Sequence, residues 1–287
     1  MKAPERLICK EDPASMKTMD RAMDKYFEKW YLFHRSKRPP KEDQFWSVLP
    51  SHDFMLNTMQ IGLRSMGDGP NILLVHGESG RGSQFSAIAH ALAESGWRTL
   101  LIDFSDEKNS KKYKLSTNDI VAAFTEIIRT QGPLHGIVAH SLGNLWVWYA
   151  IARGLRINHL VSISGVFHSS VAFEYFQRLN RLTDAEMRNL KIMLTASEGC
   201  DALTMQDPSS IIAHIPRPQH GLIIQGRDDE IVNLTEGKAY STAWQEADYL
   251  EIPEVLHANL LKNPSVVRKV KKFFVSFSDF HTKKSSS

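Results

Sequence analysis

The chain has 287 residues, 42% of them hydrophobic and 23% charged, which suits one large globular domain, alone or with an insertion. Its net charge of +3, from 35 basic and 32 acidic residues, is too mild for a nucleic-acid binder. The basic clusters at 34–41 and 268–272 carry no interleaved stacking aromatics and read as solvated faces.

Two cysteines, Cys9 and Cys200, make neither a disulfide framework nor a metal cluster. The charged N-terminus lacks the apolar segment of a secretory leader, and no uncharged apolar run approaches the roughly 20 residues that span a bilayer. The expectation is a soluble, cytoplasmic chain without a transmembrane segment, its oligomeric state left open.

Residues 16–33 place Met16, Met19, Met23, Phe27 and Trp30 on one helical stripe. The stripe predicts a helix packed on the body of the protein, with peripheral membrane contact through 16–33 as the alternative. The "KRPPK" run then ends that helix, because proline disfavours helical geometry before itself. From Phe54, "FMLNTMQIGLRSM" alternates as a strand and "GDGP" punctuates it as a turn. "NILLVHG" (71–77) is a short apolar run, followed by helical spacing over 83–96 and a strand over 98–104.

A second unit follows: a helix near 117–130, a strand at 136–140, a helix from about Leu142 and a strand over 159–165. Residues 166–216 then hold helical stretches with no strand, as an inserted cap would. A strand at 221–226, a helix near 234–246, a strand over 248–253 and a helix from about 264 complete the pattern. Strands alternating with helices predict an α/β protein with a mostly parallel central sheet flanked by helices. The expected division is a helical extension (1–45), a core (46–165), a helical cap (166–216), the rest of the core (217–280) and a disordered tail (281–287).

The loop "HGESGRGSQF" (76–85) raises the question of a nucleotide site. Its glycines, Gly77, Gly80 and Gly82, give G-x-x-G-x-G, whereas a dinucleotide turn needs G-x-G-x-x-G, each glycine having its own task. No G-K-[ST] follows, so a phosphate-clamping loop is also excluded. The informative stretch is Ala139-His140-Ser141-Leu142-Gly143, a small-x-Ser-x-Gly pentapeptide between an apolar strand and a helix. That is the context of a nucleophile elbow, whose tight turn needs small flanking residues and projects the serine hydroxyl at a helix N-terminus.

On these residues the chain resembles the α/β-hydrolase superfamily, and within it bacterial serine α/β-hydrolases with a helical, basic N-terminal segment. The resemblance covers about Phe54 to Phe274, and implies the α/β-hydrolase fold with a helical cap insertion. It also implies that the loop after the His-Gly strand carries an oxyanion hole, made by the backbone N–H groups of Glu78 and Leu142. The chain order in this fold is serine, acid, histidine. Of the histidines after Ser141, His257 lies between the last strand and the last helix, where the family keeps its catalytic base; His159, His168, His214, His220 and His281 do not. The family pattern G-x-x-D-x-x-V fits Gly226, Asp229 and Val232, so Asp229 is the expected acid and Asp228 its neighbour. His76, Asp103 and His140 are expected to pack or hydrogen-bond around the site.

The implied activity is hydrolysis of a small-molecule carboxylic ester or thioester through an acyl-enzyme on Ser141, Asp229 and His257, with no metal or organic cofactor. Alternatives are an acyltransferase or lyase with the same triad, or a ligand-binding homologue without catalysis. Four departures from the family stand out: Asn144 after Gly143, Leu256 before His257, a heavily charged loop after Asp103, and Glu78 itself. The Glu78 carboxylate is expected to point outward to Arg81, to meet a polar or cationic substrate group, or to be an ordinary exposed side chain.

Overall fold

The computed structural model describes residues 21–31, 38–56, 59–104, 116–198 and 208–277. The apolar runs form an eight-stranded sheet of β1 (Phe54–Leu56), β2 (Met59–Met66), β3 (Asn71–Val75), β4 (Arg98–Asp103), β5 (Leu134–His140), β6 (His159–Ile163), β7 (His220–Gly226) and β8 (Ala247–Ile252). Their order is β1-β2-β4-β3-β5-β6-β7-β8. β2 runs antiparallel to β1 and β4, and every other pair is parallel. β3 and β6 are buried along their whole length, as parallel strands covered on both faces must be. Side chains alternate between two cores: Leu73 and Val75 join Phe124, Trp148 and Trp244 on one face, while Ile72 and Leu74 join Ile88, Val270 and Phe274 on the other.

The helices are α1 (Arg21–Tyr31), α2 (Pro40–Ser47), α3 (Ser86–Ala93), α4 (Thr117–Gln131), α5 (Gly143–Ala152), α6 (Ser169–Asn180), α7 (Asp184–Glu198), α8 (Pro208–Ile211), α9 (Leu234–Ala243) and α10 (Pro264–Val275). α6, α7 and α8 lie between β6 and β7, with no strand among the described residues there. Within α1, Met23 is buried and Trp30 stacks on Phe173 of α6 at 4.7 Å, in a satellite core with Phe176, Leu190 and Leu194. The described part of the apolar stripe, Met23, Phe27 and Trp30, therefore packs with side chains of α6 and α7. Met16, Met19, Cys9, Cys200, His281 and the tail lie outside the described residues. No helix among the described residues is long and apolar enough to cross a membrane.

Three expectations need correction. The single strand over 54–66 is a hairpin, with Phe54 opposite Ile61 and Leu56 opposite Met59. The "KRPPK" run does not only stop a helix: Pro40 starts α2, because proline at the first helical position lacks only an N–H that would have no partner there. The basic cluster at 34–41 is not all solvated, since Arg38 is 9% exposed and reaches the end of β4.

β3 pairs with β4 on one side and β5 on the other, so the chain order changes direction between β3 and β5. In open α/β sheets the crevice at the carboxyl ends of such strands is where ligands bind. The loops that leave β3 and β5 carry residues 76–82 and 141–142.

Candidate active site

Ser141 leaves β5 with φ +54°, a left-handed conformation that costs a side-chain-bearing residue roughly 1–3 kcal/mol. Neighbouring backbone holds it there: its N–H donates to Ile163 O at 3.1 Å, and its carbonyl accepts from Asn144 and Val166. The flanking glycines are steric necessities. A Cβ on Gly77 would lie 2.7 Å from Ser141 Cβ, and one on Gly143 would lie 2.6 Å from His76 O. This close approach brings the loop after β3 against the start of α5. Neither the Glu78 nor the Leu142 N–H has an acceptor among the described residues.

Asp229 follows β7 and is fixed by its own turn, Oδ1 accepting from the N–H groups of Ile231 (2.9 Å) and Val232 (2.8 Å). Its Oδ2 lies 2.7 Å from His257 Nδ1. With an ionised carboxylate at Nδ1, that nitrogen carries the proton and Nε2 is left as the base, a tautomer assigned from the hydrogen-bond network. Burial pushes the Asp229 carboxyl up, but the hydrogen bond and charge of His257 and the Val232 N–H outweigh it and hold the pKa below the ordinary value. Asp228 turns away and accepts from the Glu254 N–H at 2.7 Å.

His257 opens a short 3₁₀ turn over His257–Lys262, and its N–H donates to Glu230 Oε2 at 3.1 Å. The His140 ring lies against that of His257, centroids 4.6 Å apart. Burial, then the charge of His257, keeps the His140 pKa well below the ordinary histidine value, so His140 stands neutral beside the pair. Ser141, His140 and His257 line one cavity of about 180 Å³ together with Glu78 and Tyr175. Ser141 Oγ makes no hydrogen bond among the described residues, His257 included. In unliganded sites such bonds are commonly long and tighten only around substrate.

The loop after β3 is braced from behind. His76 is fully buried, its Nδ1 2.6 Å from Gly77 O and its Nε2 accepting from Phe104 N at 3.3 Å. Asp103 Oδ1 stands 3.6 Å from His76 Nε2, while Asp103 Oδ2 accepts from Arg38 at 2.7 Å. The Arg38 guanidinium lies over Trp46 of α2 at 4.8 Å. From α2, Glu42 accepts from Ser83 Oγ at 3.0 Å and pairs with Arg81 Nε at 3.5 Å. The expected Glu78–Arg81 pair is therefore absent, because Arg81 is turned to Glu42. Nor is Glu78 an ordinary exposed side chain: it is half-buried in the cavity wall, and burial raises its carboxyl pKa. Asn144 is accommodated by two bonds, Nδ2 to Val166 O at 3.0 Å and Oδ1 from Tyr240 at 3.2 Å. Arg38, Glu42 and Glu230 escape sequence reasoning because each acts on a partner 27 to 65 residues away with no local pattern to mark it.

No curated protein matches the chain. A sequence model described as the alpha/beta hydrolase fold matches residues 70–190. Among solved structures, the meta-cleavage product hydrolase CumD of Pseudomonas fluorescens is 17% identical with a TM-score of 0.58, covering 80% of this chain and 99% of that one. A bromoperoxidase of Bacillus anthracis is 16% identical (TM-score 0.58; 78% and 99% covered). The thioesterase domain of the curacin biosynthetic pathway is 15% identical (TM-score 0.53; 78% and 99% covered). Identities this low carry the fold and not the reaction, and the three names differ in chemistry. The family match over residues 70–190, which hold β3 to β6, and the likeness to solved structures over most of the chain show that this protein has the α/β-hydrolase fold.

Proposed function

We propose that the protein is a serine hydrolase that cleaves a carboxylic ester or thioester through an acyl-enzyme. The observation that carries this reading is the Asp229–His257 pair at 2.7 Å, whose imidazole lines the same cavity as a strained serine at a strand-to-helix turn. Ser141 Oγ attacks the carbonyl carbon while His257 Nε2 takes its proton. The oxyanion accepts from the Glu78 and Leu142 N–H groups, preorganised donors of the kind that stabilise such charge best. Collapse expels the alcohol or thiol with the proton from His257, and water repeats the steps to release the acid. The helices between β6 and β7 serve as the cap, α6 supplying Val171, Tyr175 and Leu179 to the cavity wall. About 180 Å³ is below the range typical of drug-sized ligands and favours a short acyl group.

The test is covalent. A fluorophosphonate is expected to label Ser141, and the wild type to turn over a p-nitrophenyl ester of a short acid. Ser141→Ala is expected to lose the label and to lower kcat by roughly 10⁶, as in other triads, with its melting temperature retained. Labelling of another serine, or unchanged turnover in the variant, overturns the assignment.

A further inference from the structure

Among the described residues that line the cavity Glu78 is the only acidic one, and its carboxylate makes no hydrogen bond or ion pair with any described residue. The nearest base in sequence is engaged elsewhere, Arg81 with Glu42, which also pairs with Lys262 at 3.3 Å. Among the described residues, no lysine or arginine lines the cavity. Of its two imidazoles, His140 is held neutral and His257 gives its Nδ1 to Asp229. A half-buried carboxylate without a counter-charge is costly, and the cost is relieved by a ligand that brings the missing charge and N–H donors together. An anionic ligand would be repelled, and a neutral one would leave the carboxylate as it stands.

We propose that Glu78 recognises an ammonium group carried by the substrate, within a few bonds of the scissile carbonyl. The short reach follows from the packing of Gly77 against Ser141, which places residue 78 beside the nucleophile. The identity of the reacting bond rests on the serine hydrolase reading above; the ammonium site does not need it. The charge can enter on either side of the ester, as an aminoacyl group or as an aminoalkyl leaving group.

Two matched pairs separate these sources: glycine against propionate esters for the acyl side, and protonated 2-(dimethylamino)ethyl against 3-methylbutyl esters for the alcohol side. In the wild type kcat/KM is expected to favour the cationic member of one pair. Glu78→Gln is expected to cut that cationic-to-neutral ratio by roughly 10- to 100-fold, the value of a hydrogen bond to a charged group. Comparing ratios cancels the intrinsic reactivity of the esters and any general loss of activity. Calorimetry on Ser141→Ala gives a readout without turnover, with glycine methyl ester expected to bind at least tenfold tighter than methyl propionate, or 2-(dimethylamino)ethyl acetate tighter than 3-methylbutyl acetate. Turnover of both pairs with a ratio unchanged by Glu78→Gln, or equal binding within both pairs, overturns the ammonium site. Tighter binding of a cationic member without turnover or fluorophosphonate labelling leaves the ammonium site standing and overturns the hydrolase reading instead.

Discussion

Asp228 and Asp229 are adjacent in sequence and opposite in task. Asp229 holds the imidazole, while Asp228 ties down the N–H of Glu254, a residue forced to φ +56°. Asp229→Asn keeps the shape but replaces an acceptor by a group that can present an N–H to Nδ1, favouring the wrong tautomer. Its kcat is expected to fall roughly 10⁴-fold, as in analogous triads. Asp228→Asn is expected to change kcat by less than about tenfold, an exposed backbone contact being modest in worth. Steady-state kinetics on one p-nitrophenyl ester decide, and reversed effects would reject the Asp229 assignment. A second residue-scale expectation concerns Gly165. A Cβ there would fall 2.1 Å from Ser162 Oγ and 2.8 Å from Asn144 Cγ, both fully buried. Gly165→Ala is therefore expected to lower stability by about 1–3 kcal/mol through overpacking, read by urea unfolding. An unchanged midpoint would show that Asn144 yields without cost.

At the scale of elements, α2 and the residues just before it flank the proposed oxyanion loop, Arg38 holding Asp103 beside His76 on one side and Glu42 holding Arg81 and Ser83 on the other. Arg38→Ala would leave Asp103, 2% exposed, without its guanidinium, and truncating one partner of a buried pair costs about 3–5 kcal/mol. We expect a loss of that order in chemical unfolding, and a loss no larger than that of an exposed residue would show that water replaces the guanidinium. None of this bracing was legible in the sequence. Arg38 lay in a run that looked solvated, and the prolines that start α2 carry the same letters as prolines that stop a helix. The β1–β2 hairpin was missed for a similar reason, since no glycine or proline separates Leu56 from Met59. By contrast β3, β5 and β6 were legible because burial on both faces demands unbroken apolar runs. The candidate site was legible where it is local: the pentapeptide around Ser141 marks the proposed nucleophile, and the register after Gly226 marks Asp229, which the structure places 2.7 Å from His257. The contact from Glu230 to the His257 N–H spans 27 residues and announces nothing.

At the scale of the whole molecule, the edge of the sheet opposite the site carries a row of stacked rings. His135, His159 and His220 lie at the starts of β5, β6 and β7, His135 second in its strand, with centroids 4.3 Å and 5.2 Å apart, and Trp97 and Phe277 close the two ends of the row. His159 Nδ1 lies 3.0 Å from His135 O. Burial lowers the His159 pKa from the ordinary 6.5 to about 4, the bond to His135 opposing it and the charges of His135 and His220 adding to it. A histidine depressed in the folded state binds its proton more readily when unfolded. Its contribution to stability is therefore fully present above pH 6.5 and declines as pH falls from 6.5 towards about 4. His52 and His140 are shifted in the same direction and act in the same window from its upper end, whereas Asp229, also lowered, begins to lose its contribution only as pH falls below the ordinary aspartate value of 3.8. Replacing the central imidazole isolates its share. His159→Gln retains an N–H donor for the His135 carbonyl but does not titrate. Urea unfolding of both proteins between pH 8 and pH 4 is expected to give a stability that falls less steeply for the variant below pH 6.5, whatever its offset at pH 8. Parallel curves would show that the row of rings is packing alone, and that the acid sensitivity of the fold resides at groups other than His159.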